Sequence, residues 1–250
     1  MVHSPSTNAS STNTSLTNTS GKTSPITIIH NHTDWLIINK PSGVSMQHEQ
    51  GDINTLSLQQ MALVEIKKID PSVFRLWPVH RLDKATSGLV IFAKSAVSAA
   101  TFGQLFSQHK VKKHYLAIAL GKPKKKQGWV KGDMEKGRNG SWLLTRNHLN
   151  PASTYFESSA LETNQKIAKR LYLIQPTTGK THQIRVALKS LGCAILGDER
   201  YKGAEADRCY LHAFALSFHW QDTVKSFQCE PLQGEWPNLR EIELLSAFYA

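Results

Sequence analysis

Apolar residues recur along the chain with two different periods, which predict both strands and helices. Short apolar or alternating runs are predicted as strands at 26–29, 35–38, 89–93, 115–120, 152–160, 168–175 and 211–218. Longer stretches with apolar residues three or four positions apart are predicted as helices at 55–68, from the cap residue Ser95 to about His109, and at 181–191. Several strands with few helices between them are typical of an α+β fold, with a central, mostly antiparallel or mixed sheet flanked by helices and loops.

The predicted helices also indicate which side chains belong to the core. In the first helix the apolar positions include Leu58, Met61 and Val64. The second carries an apolar stripe that we assign to the core: Phe102, Leu105 and Phe106. Gly192 follows the third helix and is predicted to end it, because glycine readily adopts the left-handed conformation found after helices.

The N-terminal segment differs in character from the rest of the chain. Residues 1–24 are almost all Ser, Thr and Asn and show no hydrophobic periodicity. Such a segment buries too little apolar surface to offset its conformational entropy, so we expect a disordered tail. No internal repeat or sharp linker follows, and we expect a single catalytic domain over 25–250.

Composition narrows the class of protein. Hydrophobic residues make up 40% of the 250 residues, which is ordinary for a globular protein. The three cysteines are odd in number and form no CxxC pair, so neither a disulfide framework nor a zinc site is suggested. No apolar run approaches the length needed to span a membrane, and the N-terminus lacks the apolar core of a signal peptide. We therefore expect a cytoplasmic protein.

Positive charge is concentrated in one part of the chain. The formal net charge is +11. Between Lys110 and Arg138 there are ten Lys or Arg and two acids, a local balance of +8. Such a concentration favours a polyanionic partner, and Trp129 and Trp142 in or near this stretch are suited to stacking on unpaired bases. The alternative is a solvated loop whose lysines serve solubility.

The run from His80 to Gly88 combines a cation, a carboxylate and a Thr-Ser-Gly turn directly before an apolar strand. Functional residues concentrate on loops that a rigid scaffold positions, and Asp83 next to Arg81 is placed for chemistry at the edge of a cleft. The alternative is a structural turn in which Asp83 accepts hydrogen bonds from nearby backbone N–H groups.

The predicted third helix carries a second group of candidate residues. Helical spacing places His182, Arg185 and Lys189 on one face and apolar residues on the opposite face. Cations near a helix N-terminus are unfavourable unless an anion meets them, and Asp83 is the expected partner of Arg185. An ordinary exposed polar face remains the alternative.

Five segments in order resemble the motifs of RluA-type pseudouridine synthases. The first two are the turn Asn39-Lys40-Pro41-Ser42-Gly43 and the signature around Asp83. The other three are 113–117, 178–185, and 196–198 together with 210–213. The resemblance covers roughly residues 26–220, and five motifs in sequence order are far more specific than one.

This resemblance implies isomerisation of uridine to pseudouridine in structured RNA, either ribosomal or transfer RNA, without cofactor or metal. Asp83 would be the catalytic carboxylate, acting as a nucleophile or by removing a sugar proton. Arg185 would pair with Asp83, because an opposite charge favours the ionised form of a carboxylate. Tyr115 would pack against the target base and take the C5 proton late in the reaction.

The resemblance, together with the basic stretch, also gives a set of expected substrate-binding residues. Arg81 would occupy the space of the extruded nucleotide, and Leu211 would lie beneath the tyrosine. Lys180 stands where the family usually has Arg, which keeps the charge but loses the planar fork. The full expected set is His80, Arg81, Lys124, Lys125, Lys126, Lys180, His182 and Leu211. We expect a monomer, and we expect the Lys122–Arg138 stretch to be a variable loop that helps to choose the substrate.

Two other classes of function compete with this interpretation. An RNA-binding or RNA-chaperone protein would have no need of Asp83. A glycoside-type hydrolase would need two cooperating carboxylates, and no second acid lies in a motif that suggests that role. The identity of the target RNA and of the uridine is not encoded in any readable pattern.

Overall fold

A computed structural model describes residues 26–48, 55–162 and 168–249, and the expected N-terminal tail lies outside these ranges. Within them the α-helices are α1 (Leu58–Ile69), α2 (Ala96–Ser107), α3 (Gln183–Ser190) and α4 (Ser246–Tyr249). The strands are β1 (Thr27–Asn31), β2 (Trp35–Lys40), β3 (Trp77–Pro78), β4 (Ser87–Ala93), β5 (Lys112–Leu120), β6 (Gln127–Gly132), β7 (Met134–Lys136), β8 (Trp142–Leu144), β9 (Ala152–Leu161), β10 (Lys169–Pro176), β11 (Leu211–Trp220) and β12 (Thr223–Gln228).

Ten of these strands form one sheet, in the order β1-β2-β4-β11-β5-β10-β9-β6, with β12 paired to β11 and β3 paired to β4. Every pairing in it is antiparallel except that of β4 with β11, which is parallel. Strands β7 and β8 form a separate hairpin. The predicted α+β class and mostly antiparallel mixed sheet are therefore confirmed.

The parallel pairing brings two chain segments unusually close at the centre of the sheet. His212 lies opposite Ser87, and Ala213 opposite Gly88. Gly88 has φ +112°, and a Cβ atom there would lie 2.3 Å from the carbonyl oxygen of Ala213. Only glycine fits both the close approach and this backbone conformation. The glycine of the Thr-Ser-Gly turn thus lets the loop that carries Asp83 enter the sheet between its two halves.

The sheet is buried on both faces along its central strands. On one side of its N-terminal half, Trp35 of β2, Phe102 of α2 and Phe218 of β11 belong to one cluster of buried apolar residues. A larger cluster includes residues of α1, α3 and the central strands. Phe102 is fully buried, whereas Leu105 and Phe106 are half-buried at the edge of the first cluster.

The buried face of α1 differs from the one that the sequence predicted. Its buried residues are Leu58, Ala62 and Ile66, whereas Met61 is half-buried and Val64 is exposed. Leu58, Met61 and Val64 are three residues apart, which falls 60° short of a full helical turn at each step, so these positions rotate away from the core. Leu58, Ala62 and Ile66 are four residues apart, which is closer to a full turn, so they stay on one face.

The basic stretch contains more regular structure than predicted. Instead of one variable loop, it forms β6, which pairs with β9 at the edge of the sheet, and β7, which pairs with β8. The sequence pattern missed these strands, and β12 as well, because each is short and exposes at least half of its residues, so that few apolar side chains mark a buried face. Pairing with a neighbouring strand supplied the backbone hydrogen bonds that the pattern could not reveal.

The three cysteines are free and buried. Within the described ranges, no helix is long and apolar enough to cross a membrane. The single-domain boundary at 25–250 stays a prediction.

Candidate active site

A pocket of about 390 Å³ opens at the centre of the sheet, beside the loop before β4 and the starts of β5 and β11. Both of the loops that the sequence singled out, the one around Asp83 and the one before α3, contribute to its lining. The expected site residues that line it are His80, Arg81, Asp83, Tyr115, Lys180, His182, Arg185 and Leu211.

The loop that carries Asp83 is held from below by Lys40, at the end of β2. The Lys40 side chain is fully buried, and its Nζ donates hydrogen bonds to the carbonyl oxygens of Pro41 (3.0 Å), Lys84 (3.0 Å) and Thr86 (2.7 Å). Burial lowers the pKa of this ammonium to about 7, while the negative charge of Asp83 opposes the shift. Three acceptors match the three donors of a lysine. The Asn-Lys-Pro turn therefore tethers the loop directly after Asp83.

Arg185 joins two carboxylates at the floor of the pocket. Its Nε and Nη2 each donate to Asp198, at 2.7 Å, while its Nη1 donates to Asp83 Oδ2 at 3.2 Å. Burial alone lowers the pKa of the guanidinium, but the hydrogen bonds and charge of Asp198, together with Asp83, outweigh it and raise that pKa above its usual value. The predicted pairing of Arg185 with Asp83 is present in the structure.

Asp198 lies in the motif at 196–198, but the sequence did not predict it as a site residue. Its side chain is fully buried, and Arg185 contacts both of its oxygens. A carboxylate held in this bidentate way fixes the plane of the guanidinium and aims the remaining Nη1 at Asp83. Arg185 lies on α3 and Asp198 on the turn that follows it, and no local sequence pattern indicates that residues on these two elements are in contact.

The alternative of an ordinary exposed polar face on α3 is wrong. Every residue from Gln183 to Leu188 is buried, Arg185 included, and exposure begins at Lys189. Strand β8 and the turn at Glu199–Tyr201 pack against the helix and contribute to this burial. Asp198 makes this burial tolerable by pairing the charge of Arg185.

His182 lies between α3 and the carboxylate of Asp83. It has a left-handed backbone (φ 57°), and its Nδ1 lies 2.9 Å from the Tyr201 hydroxyl. The backbone N–H of Trp142 donates to that hydroxyl, so the hydroxyl can donate its own proton to Nδ1. The imidazole Nε2 lies 3.9 Å from Asp83 Oδ2. Burial lowers the pKa of His182, with Asp83 opposing, so a neutral ring presents its Nε2–H towards the carboxylate.

Gln183 fixes the loop that leads into α3. Its Oε1 accepts from the Thr178 hydroxyl (2.7 Å) and from the Lys180 backbone N–H (2.9 Å). Its Nε2 donates to the Ser153 carbonyl and to Thr154 Oγ1, both at 3.0 Å. The amide thus joins the loop to the start of β9 and holds the rim of the pocket in place.

Tyr115 and Leu211 line the pocket from the same face of adjacent strands β5 and β11, diagonally apart, because Leu211 pairs with Ala117 and Tyr115 with Ala213; both are buried. Burial, and then the negative charge of Asp83, raise the pKa of the Tyr115 hydroxyl above its ordinary value. The hydroxyl is therefore protonated at neutral pH.

The remaining predicted residues at the pocket have distinct settings. His80 accepts a hydrogen bond at Nε2 from the Ile91 backbone N–H (3.0 Å), and burial lowers the pKa of its ring to about 3, so it braces the loop as a neutral side chain. Arg81 is exposed at the pocket lining. Lys180 is half-buried, and its Nζ donates to Asn150 Oδ1 at 2.8 Å.

Lys124, Lys125 and Lys126 are not brought to the pocket. They lie exposed in the segment between β5 and β6, and none of them lines the pocket. Strand β6 begins level with Leu116 of β5 but three strands away across the sheet, which is about 14 Å at the spacing of adjacent strands. Any contact of these lysines with a substrate involves a part that lies outside the pocket.

A buried hydrogen-bond network involving Ser87, Arg208 and His212 lies where the loop that carries Asp83 enters the sheet. His212 Nε2 lies 2.9 Å from the Cys229 carbonyl and must donate to it, which leaves Nδ1 as the acceptor from the Ser87 hydroxyl at 2.8 Å. Arg208 Nη2 in turn donates to Ser87 Oγ at 2.7 Å. Burial lowers the pKa of His212 to about 3.

This network predicts an acid-sensitive fold. The folded pKa of His212 lies below its unfolded value of 6.5, so between pH 6.5 and 3 the unfolded chain binds more protons and acidification lowers the free energy of unfolding. One such group contributes about 1.4 kcal/mol per pH unit. In urea unfolding, His212→Gln is expected to show a pH slope shallower by that amount, whereas the exposed His219→Gln keeps the wild-type slope. Parallel slopes for the two variants would contradict the assignment.

Comparison with known proteins places this geometry in a family. The family model described as RNA pseudouridylate synthase matches residues 34–190, which include Asp83, Tyr115 and Arg185. The chain belongs to this family. The resemblance read from the five motifs is thereby confirmed, and so is the expectation of an enzyme of the isomerase class.

Individual relatives support the same assignment. An uncharacterised RNA pseudouridine synthase of Haemophilus influenzae is 47% identical over 84% of the chain and 90% of its own length. The dual-specificity RNA pseudouridine synthase RluA of Pasteurella multocida is 31% identical over the same shares. The ribosomal large subunit pseudouridine synthase C of Rickettsia bellii is 35% identical over 70% of the chain, which spans only 56% of that enzyme.

A solved structure shares the fold of this family member. Human RNA pseudouridylate synthase domain containing 4 superposes with a TM-score of 0.67 at 25% identity, over 82% of the chain and 88% of the human one. The central mixed sheet is therefore the fold of pseudouridylate synthase domains.

Proposed function

We propose that this protein isomerises specific uridines in structured ribosomal or transfer RNA to pseudouridine, with Asp83 as the catalytic carboxylate. The observation that carries the proposal is the position of Asp83 in the pocket, where Arg185 Nη1 lies at 3.2 Å and His182 Nε2 at 3.9 Å. Among the relatives, one is named as a ribosomal large subunit enzyme and another as a dual-specificity RNA enzyme, which supports a structured RNA substrate.

The geometry suits the chemistry of this isomerisation. The bond between N1 and C1′ breaks, the uracil turns, a bond forms between C5 and C1′, and the proton on C5 is lost while N1 regains one. An ionised Asp83 would assist cleavage of the first bond, as nucleophile or as base towards a sugar proton. Its side chain is 18% exposed, so it is accessible from the pocket while Arg185 holds it in place.

Tyr115 and Arg81 take different parts in this proposal. Because the Tyr115 hydroxyl is protonated, its first role would be to pack against the uracil, on the face of the sheet that it shares with Leu211. The Tyr115 hydroxyl oxygen would accept the C5 proton only while its own hydroxyl proton passes to another acceptor. Arg81, exposed at the pocket, would fill the space of the extruded nucleotide, since base flipping costs a few kcal/mol and is cheapest in loops.

The buried state of Asp198 argues against the competing hydrolase. Such an enzyme would need a second carboxylate free to act as acid or base. Asp198 lies near Asp83, but both of its oxygens are occupied by Arg185. A binding protein without turnover would not need Asp83 to face an open pocket.

Release of tritium tests the activity directly. Purified protein is expected to release tritium into water from RNA labelled at uridine C5, without added metal or nucleotide. We also expect a cytoplasmic monomer, and pseudouridine mapping across the RNA of a deletion strain should identify the target as the site that disappears. Absence of tritium release from total RNA of such a strain would refute the proposed activity.

A further inference from the structure

One face of the sheet edge is exposed and carries an aromatic pair. Trp129 of β6 is 53% exposed, and its ring centroid lies 5.3 Å from that of Tyr155, which is directly opposite it on β9. The ammonium of Lys131, also on β6, lies 4.9 Å from the centroid of the Trp129 ring. We call these three residues the β6 face.

Burial along β6 alternates in a way that isolates this face from the core. Val130 is buried in the main apolar cluster, while Trp129 and Lys131 on either side of it are exposed. Trp142, the other tryptophan singled out in the sequence, is instead half-buried in the β7–β8 hairpin. Only the first of the two tryptophans is therefore available to a partner.

The β6 face lies close to the pocket. Trp129 pairs with Tyr155, and Tyr155 pairs with Gln175, which is part of the pocket lining. Adjacent strands are about 4.8 Å apart, so the backbone of Trp129 lies about 10 Å from that of Gln175. Tyr115 is level with Gly128 through Ile174 and Phe156, so its side chain lies on the opposite face of the sheet from Trp129. Because β6 is the edge strand, an RNA strand that leaves the pocket past Gln175 and passes round this edge would meet Trp129.

Charge along β6 favours a nucleic acid. The exposed lysines Lys124–Lys126 stand at its start and Lys131 near its end, and Ser158 Oγ donates to the Lys126 carbonyl at 2.8 Å, which anchors the turn to β9. Glu157, next to Tyr155 on the same face, is an opposing charge. Lysines alone could protect an edge strand from pairing with another chain, but an exposed tryptophan would not.

We propose that the β6 face binds an unpaired stretch of the RNA substrate next to the modified nucleotide, with a base stacked on Trp129 and phosphates near Lys131 and Lys124–Lys126. This inference rests on the proposed function only in taking RNA as the substrate. Aromatic rings beside cations bind single strands through stacking and counterion release, without reading a sequence.

Binding of a fluorescent twelve-residue oligouridylate, measured by anisotropy at several salt concentrations, tests the proposal. Trp129→Ala is expected to weaken binding about tenfold, because stacking of one base contributes about that much. Trp129→Phe keeps a ring and should retain most of the affinity. Val224→Ala, which removes an exposed apolar side chain on β12, should bind as wild type.

Charge variants give effects of opposite sign. Changing Lys124, Lys125 and Lys126 to Gln should weaken binding and reduce the slope of log affinity against log salt by up to about 2, at about 0.7 per phosphate for single strands. Glu157→Gln should strengthen binding. A purely structural role of this edge would not predict tighter binding on removal of a carboxylate.

Wild-type affinity in Trp129→Ala, or an unchanged salt slope in the triple lysine variant, would overturn the proposal. So would a dimer in sedimentation that Trp129→Ala dissolves, because the face would then contact a second copy of the chain. Tritium release is measured separately: its absence in wild type would refute the proposed activity, whereas weak oligouridylate binding with normal release would refute the β6 face alone.

Discussion

Replacing Asp83 with Asn is expected to lower tritium release from C5-labelled RNA by at least about a thousandfold, the scale seen when a catalytic nucleophile is removed. Asn keeps the size of the side chain but removes the negative charge that faces Arg185 and His182. It can neither attack a sugar carbon nor take a sugar proton. Single-turnover rates at saturating enzyme would measure the loss in the chemical step itself.

The fold should survive this change, because Asp198 continues to pair the buried charge of Arg185. Unfolding midpoints and oligouridylate affinity near those of wild type would show that the loss is chemical. Asp222→Asn is a matched control: this exposed carboxylate lies in the turn after β11 at φ 63°, a conformation that Asn tolerates. Activity of Asp83→Asn within tenfold of wild type would refute the assigned role.

Replacing Asp198 with Ala is expected to lower the free energy of unfolding by about 3–5 kcal/mol, because it breaks a buried ion pair and leaves one partner charged. Arg185 would lose the two 2.7 Å hydrogen bonds that fix its guanidinium. Urea unfolding at neutral pH measures the change.

Activity separates this positioning role from simple destabilisation. At a temperature where Asp198→Ala is still folded, kcat should fall because Arg185 no longer holds Asp83, and Asp198→Asn, which keeps an acceptor oxygen, should recover part of it. The neighbouring Glu199→Ala, an exposed carboxylate, should change stability by no more than about 0.5 kcal/mol. A loss below 1 kcal/mol in Asp198→Ala would contradict the structural account.

The candidate site residues could be proposed from local sequence because their motifs are contiguous. Asp83 and Arg185 each lie within a run of neighbouring residues whose composition alone suggests chemistry. Their pairing across 102 positions followed from matching opposite charges and was found in the structure. Lys40 also lies in a quoted motif, but its role as a tether depends on two carbonyl groups more than forty residues away.

Exposure was harder to predict, since it depends on what covers each face. Helical spacing left open whether Arg185 lies on an exposed polar face or meets Asp83, and the structure buries it beside β8 and Asp198. Lys124–Lys126 were expected to bind substrate because they are basic, and only the strand registers show that they lie three strands away from Tyr115, outside the pocket.

The sequence by itself determined the α+β class, most element positions and the identity of the central carboxylate, because periodicity and contiguous motifs are local properties of the chain. Only the tertiary structure decided that Asp198 orients Arg185, that Lys40 holds the catalytic loop, and that Trp129 rather than Trp142 is exposed. These depend on strand order and on covering segments distant in sequence. Burial and pairing of charges arise when the chain folds, and no local pattern records them.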